Sequence, residues 1–278
     1  SVIPHVIQVY ISKRPKNAKK FIFPNKCTSC HSNIIKEFNL STKKYDAIKR
    51  CTSEGYDCDK ISIEKLKHFI SKDALNIDGL GKKVIEKFWH LNFIRYPYDI
   101  FNLDFKKIEK LEGWGTLSAS NLKFSIENSK IISLDKLIYS LGIRHIGQEN
   151  AKLLADNIQS VEKLSKIDNS FNFESFLNID GIGETQIKSL KKFFSNKTNI
   201  KIISELKKYL KIKFSKRKND GKLKNKTFLI TGKLSGISRA EAKSIIENNS
   251  GKILSTINNK LDYLVTGEKP TSKKIIRQ

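Results

Sequence analysis

A hydrophobic pattern that recurs about every 34 residues runs through the middle of the chain. Each copy has an Ile or Leu followed by a glycine-containing turn, at residues 77–81, 111–115, 143–147 and 179–183, with the final glycines 34, 32 and 36 residues apart. The fourth and seventh residues after that glycine share one helix face and are apolar in every copy: Ile85, Ala119, Ala151 and Ile187, then Phe88, Leu122, Leu154 and Leu190. A residue three positions before the Ile or Leu indicates a preceding short helix: Ala74, Ile108, Ser140 and Phe176. The pattern predicts four units, each a helix, a tight hairpin and a second helix.

The turns of these units have the chemistry of a phosphate site. Glycine accepts a positive φ and lets another backbone approach, and the first turn of the next helix presents unpaired amides. An isolated Gly-x-Gly at a helix start is a common turn, but four in register indicate contacts to a nucleic-acid backbone. The candidate contacts are the hairpin glycines and neighbouring basic residues: Gly79, Gly81, Lys82, Lys83, Gly113, Gly115, Arg144, Gly147, Gly181 and Gly183. The third unit has His145 where the others have glycine, so its turn is either different or purely structural.

The hydrophobic pattern changes after residue 222. Residues 227–230 read as a strand ending in Thr231-Gly232, residues 238–247 as a helix with a capping box, and residues 252–256 and 261–265 as two further strands. This β-α-β-β order, with another helix starting near residue 272, predicts an α/β domain that is cut short. Residues 1–23 contain strand-like apolar residues that would belong to a domain lying mostly upstream. Because both ends fall inside elements, we expect the chain to be a fragment.

All four cysteines lie within 32 residues, as Cys27-Thr28-Ser29-Cys30 followed by Cys51 and Cys58. A C-x2-C turn places two thiolates on one side of a loop, and a second cysteine pair at this distance closes a tetrahedral zinc site. A segment this small has little core of its own, so the metal would fold it. Disulfides remain the alternative, although they require an oxidising compartment that nothing else in the sequence indicates. We expect one structural zinc ion bound by these cysteines.

The charge of the chain favours a polyanionic partner. Its 278 residues contain 53 Lys and Arg against 28 Asp and Glu, a formal charge of +25, although a composition rich in Lys, Ile and Asn accounts for part of the excess. No apolar run is long enough to span a bilayer, so we expect a cytoplasmic protein without a membrane partner. Lys218-Asn219-Asp220-Gly221 matches the K-x-D-G motif of nucleotidyltransferases, but no further motif of a nucleotide pocket appears nearby. We therefore expect no catalytic residue in this chain.

The order of these modules resembles the second half of bacterial NAD-dependent DNA ligases. Three stretches carry the resemblance most closely: residues 66–71, residues 141–147, and Thr231-Gly232-Lys233-Leu234 with Ser238-Arg239. It implies a multidomain, mainly α chain with an end of an OB fold (1–23), a four-cysteine zinc finger (24–60), four helix-hairpin-helix repeats (61–210), a linker (211–222) and a partial α/β BRCT domain (223–278). The spacing from Cys51 to Cys58 is slightly long for the family.

The resemblance implies that the whole enzyme uses NAD and Mg2+ to seal nicks during DNA replication and repair, whereas this chain grips duplex DNA and is inactive alone. It implies zinc at the cysteines and minor-groove phosphate contacts at the hairpins, in a monomeric, nucleoid-associated protein. By analogy with BRCT domains that bind phosphopeptides, Thr231, Gly232 and Lys273 would form a pocket for an unknown partner. A stand-alone DNA-binding accessory of DNA repair and a BRCT-based interaction scaffold stay open, although the charge and the hairpins argue against the scaffold.

Overall fold

The structure is a computed structural model that describes residues 6–39, 42–214, 221–232, 234–237, 239–254, 257 and 261–268. Its strands are β1 Ile34–Asn39, β2 Lys44–Cys51, β3 Ile131–Ser133, β4 Lys211–Lys213, β5 Thr227–Thr231, β6 Lys252–Ile253 and β7 Tyr263–Thr266. Its α-helices are α1 Asp59–Phe69, α2 Lys82–His90, α3 Phe105–Glu109, α4 Thr116–Ser129, α5 Leu134–Ser140, α6 Gln148–Ile158, α7 Val161–Ser165, α8 Glu184–Phe194, α9 Lys197–Tyr209 and α10 Arg239–Asn248. Short 3-10 helices lie at Ile11–Lys13, Pro97–Asn102 and Phe173–Asn178. None of the helices within these ranges has the length and apolarity needed to cross a membrane.

One hydrophobic core runs through the helical region, from Leu66 to Leu210. The predicted helix-face positions of all four repeated units contribute to it, and each is at most 5% exposed. They lie in α2, α4, α6 and α8, the helices that follow the four turns. The periodic apolar pattern therefore predicted both these helices and the face that each one buries.

The element before each turn varies more than the pattern predicts. Ile108 lies in α3 and Ser140 in α5, as expected. Phe176 also lies in a short helix, of the 3-10 type, whereas Ala74 lies in a turn after α1, so the predicted preceding short helix is wrong at this position in the first unit. All four side chains are buried. The units therefore share a buried residue at this position, whereas the local backbone that carries it differs.

The start of the predicted linker at residues 211–222 is a strand. Residues Lys211–Lys213 form β4, which pairs in parallel with β3, and Ile212 packs against the helical core. The linker assignment is wrong for these three residues, because one apolar residue between two lysines is too short a pattern to separate a strand from a basic loop. Lys218 and its K-x-D-G motif begin within residues 215–220, outside the described part of the chain.

The strands predicted within residues 1–23 are absent from the described part of that segment, residues 6–23, whose one regular element is the short 3-10 helix. Val6, Ile7 and Ile22 are 84%, 97% and 82% exposed. A strand is stable only when neighbouring strands pair with its backbone and cover one of its faces. The described residues offer no such partner here, so residues 6–23 form no strand, and their assignment to the end of an OB fold stays a prediction.

The described residues after 220 form a small α/β unit. Strands β6 and β7 flank β5, and both run parallel to it. Helix α10 connects β5 to β6, and Phe228, Ile230, Ala242 and Ile246 form a separate core. The predicted β-α-β-β order is confirmed, and the parallel pairing of β5 with β6 follows from the helical crossover between them. The helix expected near residue 272 lies outside the described residues.

Candidate nucleic-acid interface and metal centre

The four hairpins adopt the same backbone turn. In each, the amide of the apolar residue between the two glycine positions donates to the carbonyl three residues earlier over 2.9–3.4 Å: Leu80 to Ile77, Trp114 to Leu111, Ile146 to Ile143, and Ile182 to Ile179. The residue just before that amide has a φ of +80°, +79°, +59° or +96°: Gly79, Gly113, His145 and Gly181. A hydrogen bond of this kind with a positive φ at the third residue is typical of a type II turn.

His145 therefore replaces a glycine without changing the turn. Of the two alternatives for the third hairpin, a different turn is wrong, because His145 takes the same left-handed conformation as the glycines. A residue with a Cβ pays a conformational cost in this region that glycine does not. The surroundings of the third hairpin must therefore stabilise the turn.

The final glycine of each turn directly precedes a helix, and the apolar residue before that glycine packs in or against the helical core. In the second and fourth hairpins the glycine amide already donates to a side chain, from Gly115 to Ser118 Oγ at 2.9 Å and from Gly183 to Gln186 Oε1 at 3.1 Å. Among the described residues, nothing accepts from the amides of Gly81 or Gly147. The first and third hairpins thus present one more free donor at a positive helix end.

The first and second hairpins lie side by side around an open cleft of about 510 Å³, lined by Asp78, Gly79, Gly113, Trp114 and Ser118 among others. The Trp114 ring packs 5.6 Å from that of Phe88 between ring centroids. Lys87 of α2 donates from Nζ to the Glu112 carbonyl at 2.9 Å, across from one hairpin to the other. The two turns are therefore held in a fixed relation to each other.

Two lysines stand at the mouth of the first hairpin. Lys82 and Lys83 begin α2 directly after Gly81, and both are exposed. Neither forms an ion pair with any residue that the structure describes. The first hairpin therefore combines a free glycine amide, the positive end of a nine-residue helix and two exposed lysines outside any described ion pair, a combination that favours an anion.

The third hairpin is tied to two other parts of the molecule. The Arg144 guanidinium contacts the Glu37 carboxylate and lies 3.8 Å from the Asp46 carboxylate. Both acidic residues lie on the β1–β2 ribbon, which is the antiparallel pair formed by strands β1 and β2. On the other side, Lys152 of α6 donates from Nζ to both carboxylate oxygens of Glu247 in α10, at 2.9 and 3.1 Å. These contacts were not predicted from the sequence. The candidate phosphate contact Arg144 is thus already paired with acidic residues.

The four cysteines meet at one point beside α1. Cys27 and Cys30 lie on a tight turn, Cys51 ends β2 and Cys58 directly precedes α1. Their sulfur atoms all lie within 4.8 Å of one another, with 3.8 Å between Cys27 and Cys58 and 3.4 Å between Cys30 and Cys51.

These distances fit a tetrahedral metal site better than disulfides. Zinc–sulfur bonds of about 2.3 Å place tetrahedral sulfurs about 3.8 Å apart, whereas a disulfide needs about 2.05 Å. No disulfide joins any two of the four cysteines. Because four sulfurs converge with no carboxylate or imidazole among them, the donor set suits a soft or borderline metal ion held in a closed, structural site.

The environment of the site separates the four thiols into two kinds. Hydrogen bonds from Ser32 lower the pKa of Cys30 to about 6, and the backbone amide of Cys30 helps to lower that of Cys27. Burial raises the pKa of Cys51 to about 12 and also raises that of Cys58. The C-x2-C turn therefore favours thiolates before any metal arrives, and a bound cation would remove the protons from the other pair.

Thr231 and Gly232 end the central strand of the C-terminal sheet. Thr231 is 2% exposed, and its carbonyl accepts from the Gly267 amide at 2.8 Å. A Cβ on Gly232, whose φ is +83°, would lie 2.7 Å from the Gly267 carbonyl oxygen, so only glycine fits this close approach. Arg239 donates to the Gly232 carbonyl at 2.9 Å. The third predicted pocket residue, Lys273, lies outside the described residues, and the phosphate pocket stays a prediction.

Comparison with known families identifies two modules. The helix-hairpin-helix motif family matches residues 136–203, which include the third and fourth hairpins. The BRCA1 C Terminus (BRCT) domain family matches residues 218–278. The presence of helix-hairpin-helix and BRCT modules, which the sequence predicted, is thereby confirmed.

Curated relatives extend the likeness to the rest of the chain. A DNA ligase of Pelagibacter ubique is 62% identical over 99% of this chain, and a DNA ligase of Wolbachia pipientis wMel is 40% identical over 98% of it. A DNA ligase of Parvibaculum lavamentivorans is 36% identical over 98%. The chain spans 40–41% of the length of these relatives. The resemblance to one part of the DNA ligases, predicted from the order of modules, is confirmed.

Proposed function

We propose that this chain is the DNA-binding portion of a bacterial NAD-dependent DNA ligase. The observation that supports this most directly is a basic, four-hairpin array on a chain that matches DNA ligases over 98–99% of its length. Residues 24–60 would form the zinc module, residues 61–210 four helix-hairpin-helix repeats and residues 223–278 part of a BRCT domain. The whole protein would use NAD and Mg2+ to seal nicked DNA, and a cytoplasmic, nucleoid-associated location remains a prediction.

The proposed grip is on the phosphate backbone. Backbone amides and helix ends hold a phosphate without reading a base, so binding would be independent of sequence. The proposed contacts are the hairpin glycines together with Lys82 and Lys83. The first hairpin has the most of them, because its free Gly81 amide lies beside both lysines. We further propose that the four cysteines bind one zinc ion that folds the small module, with no part in the chemistry of ligation.

The test is the salt dependence of binding to duplex DNA. We expect the full chain to bind unrelated duplex sequences with similar affinity, because its contacts are to phosphates. The logarithm of the binding constant should fall linearly with the logarithm of salt concentration, with a slope of about −0.9 for each phosphate neutralised. Fluorescence anisotropy with labelled duplexes at several salt concentrations measures both. A strong preference for one sequence, or no binding at low salt, would contradict the proposal.

A further inference from the structure

The β1–β2 ribbon carries an exposed aromatic pair that the proposed function does not use. Phe38 lies directly opposite Tyr45, and their ring centroids are 5.1 Å apart at an angle of 66°. The two side chains are 48% and 68% exposed. Neither belongs to a hydrophobic core of the described residues, so a large part of each ring is available to a partner.

The charges of the ribbon are distributed unequally around this pair. Residues 34–51 contain five basic and two acidic side chains. The two acidic residues, Glu37 and Asp46, lie against Arg144 of the third hairpin. Lys36, Lys43 and Lys44 are exposed, and none of them forms an ion pair with a described residue. The part of the ribbon left to solvent is therefore aromatic and positively charged.

The ribbon is also held in place relative to the hairpins. Cys51, one of the four converging cysteines, ends β2 and ties that strand to the metal centre. The contacts of Arg144 with Glu37 and Asp46 fix the ribbon against the helical region. The aromatic pair is consequently held at a fixed position relative to the third hairpin.

We propose that Phe38 and Tyr45 form a second DNA contact, in which an aromatic ring stacks on a nucleobase whose face is exposed, while the neighbouring lysines hold phosphates. This inference rests on the proposed function. Aromatic side chains stack on any base, and lysines around them supply the affinity for the backbone. An intact duplex covers its base faces by stacking, so the contact favours DNA with a gap or an unpaired nucleotide.

The experiment compares two labelled DNAs, an intact duplex and the same duplex with a one-nucleotide gap, using the full zinc-loaded chain. We expect the double variant Phe38→Ala/Tyr45→Ala to bind the gapped DNA about tenfold more weakly, since loss of one base–aromatic stack costs roughly 5- to 150-fold. Its affinity for the intact duplex should change much less. An unchanged zinc content shows that the module remains folded.

Two control variants separate stacking from loss of apolar surface. Phe38→Tyr/Tyr45→Phe keeps both rings and should retain the parent's affinity for gapped DNA. Ile48→Ala removes another exposed apolar side chain, 62% exposed, from the same ribbon and should leave the affinity unchanged.

The outcomes distinguish this inference from the proposed function. If the parent chain binds neither DNA, the proposed function fails and the inference fails with it. If the parent binds and the alanine variant binds each DNA as tightly as the parent does, the inference alone is overturned. An equal loss on both DNAs would also overturn it, because stacking on an exposed base face predicts a difference.

Discussion

The first and third hairpins have the same backbone turn and different surroundings. In both, the amide of the final glycine, Gly81 or Gly147, donates to no described acceptor. In the first hairpin, exposed Lys82 and Lys83 stand beside that amide without an ion pair to a described residue. In the third, Arg144 contacts the ribbon acids Glu37 and Asp46. The two hairpins therefore share their local backbone geometry and differ in the charges around the turn.

The third unit also joins the helical region to the C-terminal unit. Lys152 is 14% exposed and lies between Glu149 at 3.0 Å and Glu247 at 2.9 Å, while Lys243 lies 3.7 Å from both carboxylates. This network connects α6 to α10. In the third unit the basic side chains face acidic residues of neighbouring modules, so the proposal places the main phosphate contact at the first hairpin, whose lysines form no such ion pair.

The largest effect should come from the proposed zinc site. Its ligand Cys51 ends β2, and the β1–β2 ribbon contacts the third hairpin. We expect about one zinc ion per chain, and we expect Cys51→Ser to lower this to less than half. The binding free energy of a structural zinc, on the order of 10–16 kcal/mol, is what folds so small a module. Residues 24–58 should then become sensitive to protease, whereas the helical region, which has its own core, should resist.

Elemental analysis and limited proteolysis of protein purified under reducing conditions measure both effects. Full zinc content in the Cys51→Ser variant would mean that this residue is not a ligand. A helical region that unfolds with the zinc module would show that the third hairpin depends on its docking partner far more than the comparison suggests.

The second prediction compares the basic residues of the two hairpins directly. Lys82→Ala/Lys83→Ala should reduce the magnitude of the salt slope for duplex binding by roughly one to two units, because each lost phosphate contact removes about 0.9. Arg144→Ala should change it much less, since that guanidinium already neutralises Glu37 and Asp46. Anisotropy titrations across a range of salt concentrations give the slopes. Equal changes in the two variants would assign the two hairpins the same role.

The repeated turns and the cysteine site could be predicted because their information is local. Apolar residues at the fourth and seventh positions after each final glycine specify one face of a helix. Four cysteines within 32 residues allow few arrangements other than a shared metal site. The positive φ of His145 was not predicted, because a histidine gives no indication of the left-handed conformation that glycine adopts at this position in the other three turns.

The contacts between modules could not be predicted, because they join residues that are far apart in the chain. Arg144 and Glu37 are 107 positions apart, and Lys152 and Glu247 are 95 apart. In a sequence with 53 basic residues, no local spacing marks the few that will be paired. Strand β4 was not predicted for a related reason, because Ile212 becomes a strand residue only through its pairing with the distant Ile132.

The third prediction concerns the connection between α6 and α10. A double-mutant cycle on Lys152→Met and Glu247→Gln should give a coupling free energy of about 1 kcal/mol, within the usual range of 0.5–3 kcal/mol for residues in one network. Both side chains are largely buried, at 14% and 22% exposed, so solvent screens their attraction only in part.

Urea unfolding of the four proteins, followed by circular dichroism, provides the coupling. Lys243→Met is the matched control, because Lys243 lies 3.7 Å from the same carboxylates and is 35% exposed, so its removal should cost less. Additive effects of Lys152→Met and Glu247→Gln would show that this pair does not hold the two units together.

The smallest effect should be a pH dependence that only the third hairpin has. Burial and the neighbouring Arg144 guanidinium lower the pKa of His145, and they outweigh the opposing influence of Glu37 and Asp46. The unfolded chain therefore takes up a proton at this position before the folded chain does. Stability is fully present above the ordinary histidine pKa of about 6.5 and decreases as the pH falls below it, until His145 of the folded state is also protonated.

His145→Gly tests this directly, because it removes the titrating ring and keeps the positive φ that the turn requires. The urea midpoint of the parent should fall more between pH 7.5 and pH 5.5 than that of the variant, while the first hairpin, with Gly79 at the same position, contributes no such difference. Glycine avoids the free-energy cost of a Cβ in the left-handed conformation, but it also makes the unfolded chain more flexible. Because these two effects oppose each other, the two proteins should have similar stability at pH 7.5. If the parent and the variant show the same pH dependence, His145 is not held in the electrostatic surroundings that distinguish the third hairpin from the first.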